Sequence, residues 1–140
     1  MNARSGPEQH SEESGRRYDD QRFRPVERLR KRPQFLRARR RGIRREGRHV
    51  IINLVGNDCG HPRLGVTVSR RVGNAVVRNR YKRRLREIFR LHKRQFGEAH
   101  DVVIIVKAGA NPTFDELKRD VLSTVRRALD AERKRSRRGE

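Results

Sequence analysis

The run Asp101-Val102-Val103-Ile104-Ile105-Val106-Lys107 most constrains the fold of this chain. It has five consecutive aliphatic, mostly β-branched residues and no alternation of polar with apolar. Such a run reads as a strand buried on both faces, so cover must come from two sides. The surrounding sequence can supply that cover. Phe114, Leu117, Val121, Val125 and Ala128 recur at helical spacing and place one apolar face of a helix over Phe114 to Leu129 against a sheet. Thr113 and Glu116 have the spacing of a capping box at its start.

Further elements precede these. A short helix is expected from Pro33 to Arg41, with Pro33 suited to the first turn and Gly42 to the stop. Strands are expected from Arg48 to Val55 and from Arg63 to Ser69, joined as an antiparallel hairpin by the turn Asn57-Asp58-Cys59-Gly60. A long helix is expected from Ala75 to Gln95, capped by Asn74 and ended by Gly97. The fold class is therefore α+β: an α-β sandwich of order α-β-β-α-β-α, with helices on a small, mostly antiparallel sheet. Residues 1–25 read as a disordered tail, 26–130 as the folded domain and 131–140 as a basic disordered tail.

Charge narrows the function. The chain has 140 residues and a formal net charge of +21. Arg28 to Arg48 and Arg70 to Arg94 each hold eleven basic residues and one acid, so these two stretches carry nearly all the excess. A solvated face usually mixes both signs, and these stretches do not. Phosphates reward such clusters through counterion release, which points to a nucleic acid. No apolar stretch approaches the ~20 residues that span a bilayer, and no membrane partner is expected. The first residues lack the apolar core of a signal peptide. Cys59 is the only cysteine, so no intramolecular disulfide can form; a cytoplasmic location is the expectation.

The helix from Ala75 carries the strongest pattern. At ~100° per residue, Val77, Tyr81, Leu85, Ile88 and Phe89 share a core face. Asn79, Arg83, Arg86 and Arg90 line the opposite side, flanked by Lys82. Such a strip can follow a phosphate backbone, with arginine adding bidentate contacts. Arg78 and Arg84 fall at the edges of the apolar face. Phe35 is the one aromatic residue of the first helix.

The run Arg70-Arg71-Val72-Gly73-Asn74-Ala75-Val76-Val77-Arg78-Asn79-Arg80-Tyr81-Lys82-Arg83-Arg84-Leu85-Arg86 resembles the signature of bacterial ribonuclease P proteins: Gly-Asn-Ala-Val before Arg-Asn-Arg, then Lys-Arg. The resemblance extends more loosely from Arg28 to Leu129. It implies a protein that assists a catalytic RNA in removing the 5′ leader of precursor tRNA, with a left-handed βαβ crossover in the fold. By this resemblance Arg78, Asn79, Arg80, Lys82, Arg83 and Arg86 contact the RNA subunit, supported by Arg70 and Arg71. Phe35, Asn53, Val66 and Thr67 match positions of a cleft for the single-stranded leader, which Arg78 also reaches. By the resemblance, Arg39 stands at a position where an aromatic is common in the family and Asn53 where some members carry one, so base stacking falls mainly to Phe35, with Arg39 offering a guanidinium plane.

The residues carry no nuclease pattern of their own. Asp115, Glu116 and Asp120 cluster where acids complement a helix dipole. The five histidines lack metal spacing. No catalytic residue and no metal ligand is therefore assigned. The resemblance implies Mg²⁺ held mainly by the RNA subunit and substrate, with that RNA and precursor tRNA as partners and no obligate protein partner. A basic ribosomal protein, a DNA-architectural protein and a protein-only ribonuclease are the alternatives. The first would explain the charge but not the run from Gly73 to Arg86.

Overall fold

The computed structural model describes residues 22–109 and 111–139; the tail expected over residues 1–25 lies largely outside them. The elements in chain order are α1 (Arg32–Arg41), β1 (Ile43–Glu46), β2 (Val50–Gly56), β3 (Arg63–Thr67), α2 (Ala75–Leu91), β4 (His100–Val106) and α3 (Phe114–Gly139), with short 3-10 turns at Pro25–Glu27 and Lys93–Phe96. The α+β sandwich is present, as one four-stranded sheet in the order β1-β2-β4-β3.

The pairing differs from the expected hairpin. β2 does not pair with β3; β4 lies between them, antiparallel to β2 and parallel to β3. The double-sided apolar strand takes an interior position, where neighbours satisfy its backbone on both edges and helices cover both faces. The parallel pair requires a crossover, and α2 supplies it. The hairpin partner of β2 is instead β1, from Ile43↔Leu54 to Glu46↔Ile51. β1 (Ile-Arg-Arg-Glu) has one apolar residue, and no periodic signal marked it.

Register sorts the side chains. Val50, Ile52 and Leu54 of β2 and Val102, Ile104 and Val106 of β4 face α2 and α3, and join Tyr81, Leu85, Ile88, Phe89, Leu117, Val121 and Val125 in the main core. Val55 and Val103 face the other way and pack with Leu29, Ala38, Phe35 and Ile105 beneath α1. The core face expected for α2 is the one observed, with Tyr81 and Phe89 buried.

Local signals explain the helix ends. Asn74 Oδ1 accepts from Val77 N at 3.0 Å at the start of α2. The helix stops at Leu91, earlier than expected, and a 3-10 turn runs on to Gly97 at φ +91°. Thr113 and Glu116 cap α3 reciprocally: Thr113 N donates to Glu116 Oε1 at 2.9 Å and Glu116 N donates to Thr113 Oγ1 at 3.1 Å. Gly42 ends α1 through crowding, since a Cβ there would collide with the carbonyl oxygens of Ala38 and Leu54.

Both sheet edges are covered. Leu29 N donates to Leu64 O at 2.9 Å, so the segment before α1 lies along β3. α3 runs antiparallel to β1: Asp120 accepts from Arg48 N and His49 N, Arg127 donates to Glu46 O, and Arg135 donates to Arg41 O. Such covers keep edge strands from pairing with other chains. The C-terminal residues therefore do not form a disordered tail through Gly139; they continue α3. Residues 131–138 are Ala, Glu, Arg, Lys and Ser, mostly good helix formers, and contacts at Glu132 and Arg135 hold them.

Candidate RNA interface

Two cationic surfaces emerge. The first lies along α2. Asn79 and Arg83 are exposed, Lys82, Arg86 and Arg90 half-buried. With Phe23, Arg28 and Glu87 they line a groove of about 430 Å³. The N-terminal segment forms its second wall, a part sequence reading placed in a tail up to Pro25. Phe23 packs edge-on against Phe89 at 5.4 Å, and the Arg28 guanidinium lies 4.7 Å over the Phe23 ring. Glu27 pins the wall: its carboxylate lies 2.9 Å from Lys93 Nζ, off hydrogen-bonding alignment, with both side chains buried. Glu27 Oε1 also accepts from Arg24 N at 2.8 Å. Glu27 was missed because a buried acid leaves no periodic trace.

The electrostatics of this groove favour an anion. Burial, and then the nearby Arg28 charge, disfavour the protonated form of Arg86. A polyanion seated between Arg28 and Arg86 relieves that repulsion. Arg90 is partly answered by Glu87, 2.6 Å away at Nη2–Oε2.

The second surface lies on the α1 face of the sheet. Directly paired residues share a face. The register therefore sets Arg44, Asn53, Val103 and Gly65 in one row, and Glu46, Ile51, Ile105 and Thr67 in the next. α1 covers part of this face. Phe35 seats its ring on Gly65, where a Cβ would come within 2.7 Å of Cε2 and 2.9 Å of Cζ. Arg39 follows Phe35 by one turn, on the same side of the helix, and is exposed. Phe35, Asn53 and Thr67 thus share the face of the sheet that α1 crosses, with Arg39 on the Phe35 side of that helix. Asn53 is buried on that face and Thr67 is exposed. Val66 points the other way, into the main core, because strand neighbours alternate faces. It lines a recess with Phe23, Arg28 and Arg86 instead.

The two surfaces meet at the C-terminal end of β3. Three residues after Thr67 come Arg70 and Arg71, both exposed, and then α2. Arg78 folds back on this connection, its Nε donating to Gly73 O at 3.2 Å. Arg80 is half-buried beside Tyr81.

Three carboxylates, Asp101, Asp120 and Glu116, have structural roles, whereas Asp115 is exposed, 3.9 Å from Lys118. Asp101 is buried, takes a two-point contact from Arg63 at 2.8 and 2.9 Å, and accepts from Asn57 Nδ2 at 2.8 Å. Asp120 caps the β1–β2 turn, and Glu116 caps α3. Among the described residues no three His, Cys, Asp or Glu side chains come together as metal ligands, and no helix is long and apolar enough to cross a membrane.

The family sequence model described as Ribonuclease P matches residues 23–129. The chain belongs to the ribonuclease P protein family. It is 46% identical over 85 residues to the ribonuclease P protein component of Syntrophus aciditrophicus (strain SB), covering 61% of this chain and 71% of that one. With the corresponding protein of Geotalea uraniireducens (strain Rf4) the identity is 36% over 105 residues, 75% of this chain and 93% of the relative. The solved RNase P protein from Thermotoga maritima superposes with a TM-score of 0.67 at 30% identity, covering 72% of this chain and 96% of that one. The ribonuclease P match begins at Phe23, which forms the second wall of the α2 groove, and stops before the helical extension 131–139.

Proposed function

We propose that this ribonuclease P protein component binds the catalytic RNA along α2 and the precursor-tRNA leader in the groove beneath α1, and leaves hydrolysis to the RNA. The observation that carries this reading is the junction at the end of β3, where Thr67 on the groove margin leads directly into Arg70, Arg71 and the α2 strip. A rigid scaffold holding two such surfaces edge to edge can bring two mutually repelling RNAs together.

Asn79, Lys82, Arg83 and Arg86 contact phosphates of the RNA subunit, with Arg28 joining from the opposite wall; Arg70, Arg71 and Arg80 extend the contact toward β3. In the groove, a leader base stacks on Phe35, Arg39 takes a phosphate or a second base face, and Asn53 and Thr67 offer polar contacts. Arg78 lies between the two surfaces. In keeping with the family resemblance, Mg²⁺ held by RNA and substrate would supply the hydrolytic chemistry, and no step is assigned to a protein-bound ion. The setting is tRNA processing, in the cytoplasm. The ribosomal alternative does not account for a family match over the whole folded unit.

The test is a pair of binding measurements. Arg80→Ala with Arg83→Ala weakens assembly with the RNA subunit and flattens its salt dependence, whereas Phe35→Ala leaves assembly intact. The reverse pattern would overturn the assignment of surfaces.

A further inference from the structure

The edge of the sheet at β1 carries cations that neither surface uses. α3 outruns the ribonuclease P match at residue 129 by a helical stretch through Gly139, and residues 133–139 are exposed. This extension is held against the end of α1, since Arg135 Nη2 donates to Arg41 O at 2.9 Å. That bond uses one of the five donors of the guanidinium. Arg138 follows Arg135 by three residues, on the same side of the helix. On β1, Arg44 pairs with Asn53 and shares its face, so it stands at the outer end of the row that starts beneath Phe35. The neighbouring acids are answered: Glu46 by Lys107 at 2.6 Å, Asp130 by Arg133 at 3.1 Å, and Glu132 lies 3.4 Å from His100. None of Arg41, Arg44, Arg135 and Arg138 is in an ion pair among the described residues.

We infer that this edge, formed by Arg41, Arg44, Arg135 and Arg138, binds phosphates of the upstream part of the leader after it leaves the groove. The inference rests on the leader-groove reading. Geometry selects the leader over the RNA subunit. The α2 strip lies by β3, at the far side of the sheet, three strand spacings or ~14 Å from β1. α1 covers the middle of the row Gly65–Val103–Asn53–Arg44 and itself runs from Phe35, seated on Gly65, to Arg41 at this edge, where Arg135 holds it. A strand that passes Phe35 and then Arg39 along α1 therefore arrives at Arg41, Arg44 and the α3 extension.

The experiment measures affinity of the assembled holoenzyme for precursors of two leader lengths, one ending within the groove and one reaching past it, and for mature tRNA. The variants are Arg135→Gln with Arg138→Gln, Arg44→Ala, and a chain ending after Asp130. The expected result is a loss of about tenfold at low salt for the long leader alone, shrinking as salt rises. Equal loss for short-leader precursor or mature tRNA would place the tRNA body at this edge and overturn the inference. Weakened assembly with the RNA subunit, or no loss on any substrate, would overturn it as well. Phe35→Ala separates the two readings. If Phe35→Ala discriminates by leader and the edge variants do not, only the edge assignment fails. If Phe35→Ala is indifferent to the leader, the groove reading fails with it.

Discussion

Phe35→Ala tests the groove most sharply, because the structure limits how much that residue can contribute. The ring meets Gly65 through Cε2 and Cζ, packs against the cluster of Leu29, Ala38, Val55 and Val103, and is half-buried. The other groove residues are Arg39, Asn53 and Thr67, none of them aromatic. At most one base therefore stacks on a ring. A base–aromatic stack is worth about 1–3 kcal/mol, and a half-covered ring belongs near the lower end. At ~1.4 kcal/mol per tenfold, Phe35→Ala lowers affinity for leader-bearing tRNA about five- to tenfold. Affinity for mature tRNA stays unchanged. Gly65→Ala provides the complementary perturbation, since its Cβ would displace the ring without removing it. The assay is equilibrium binding of labelled precursor and mature tRNA to the assembled holoenzyme, with a thermal melt of each variant to confirm folding. Equal losses on both substrates, or none on either, would refute the reasoning.

Other predictions concern the scaffold and the strip. Arg83→Ala with Arg86→Ala should reduce the slope of log affinity against log salt for the RNA subunit by about 1.8 if both contact duplex phosphates; titrations at several salt concentrations read it directly. Glu27→Gln leaves Lys93 buried beside a neutral partner and should cost about 3 kcal/mol of stability, whereas replacing both with apolar residues should recover much of it; denaturant melts distinguish the two. Thr113→Ala removes the α3 cap and should cost about 1 kcal/mol by the same assay. The hydrogen bond from the Thr113 backbone holds the Glu116 carboxyl below its ordinary value of 4.5. Its stabilising contribution is therefore complete above that pH and fades as pH falls through the lowered folded value; a melt series in acid should show the loss, and Glu116→Ala should remove that portion.

The sequence made legible what periodicity encodes. The core face of α2, the two-sided strand β4 and the capped start of α3 all follow from apolar spacing and capping chemistry. Strand neighbours did not follow, because the turn at Asn57–Gly60 looks the same whether the next strand pairs beside β2 or one place beyond it. β1 was hidden by its Arg-Arg-Glu composition: an edge strand shielded by a helix needs few apolar residues. The resemblance named candidate groove residues but not their facing. Only register shows that Val66 turns away from Thr67. Glu27 and Lys93 were silent because each is charged in sequence and buried only once the other is in place. The C-terminal charges read as a tail since their anchors, Arg41 O and His100, are remote in sequence.

The most direct measurement is cleavage of precursor tRNA at low Mg²⁺ by the catalytic RNA alone, the protein alone and the two together. Efficient removal of the leader only when both are present is the predicted result. Cleavage by the protein without RNA would contradict a scaffold whose described residues bring no three His, Cys, Asp or Glu side chains together.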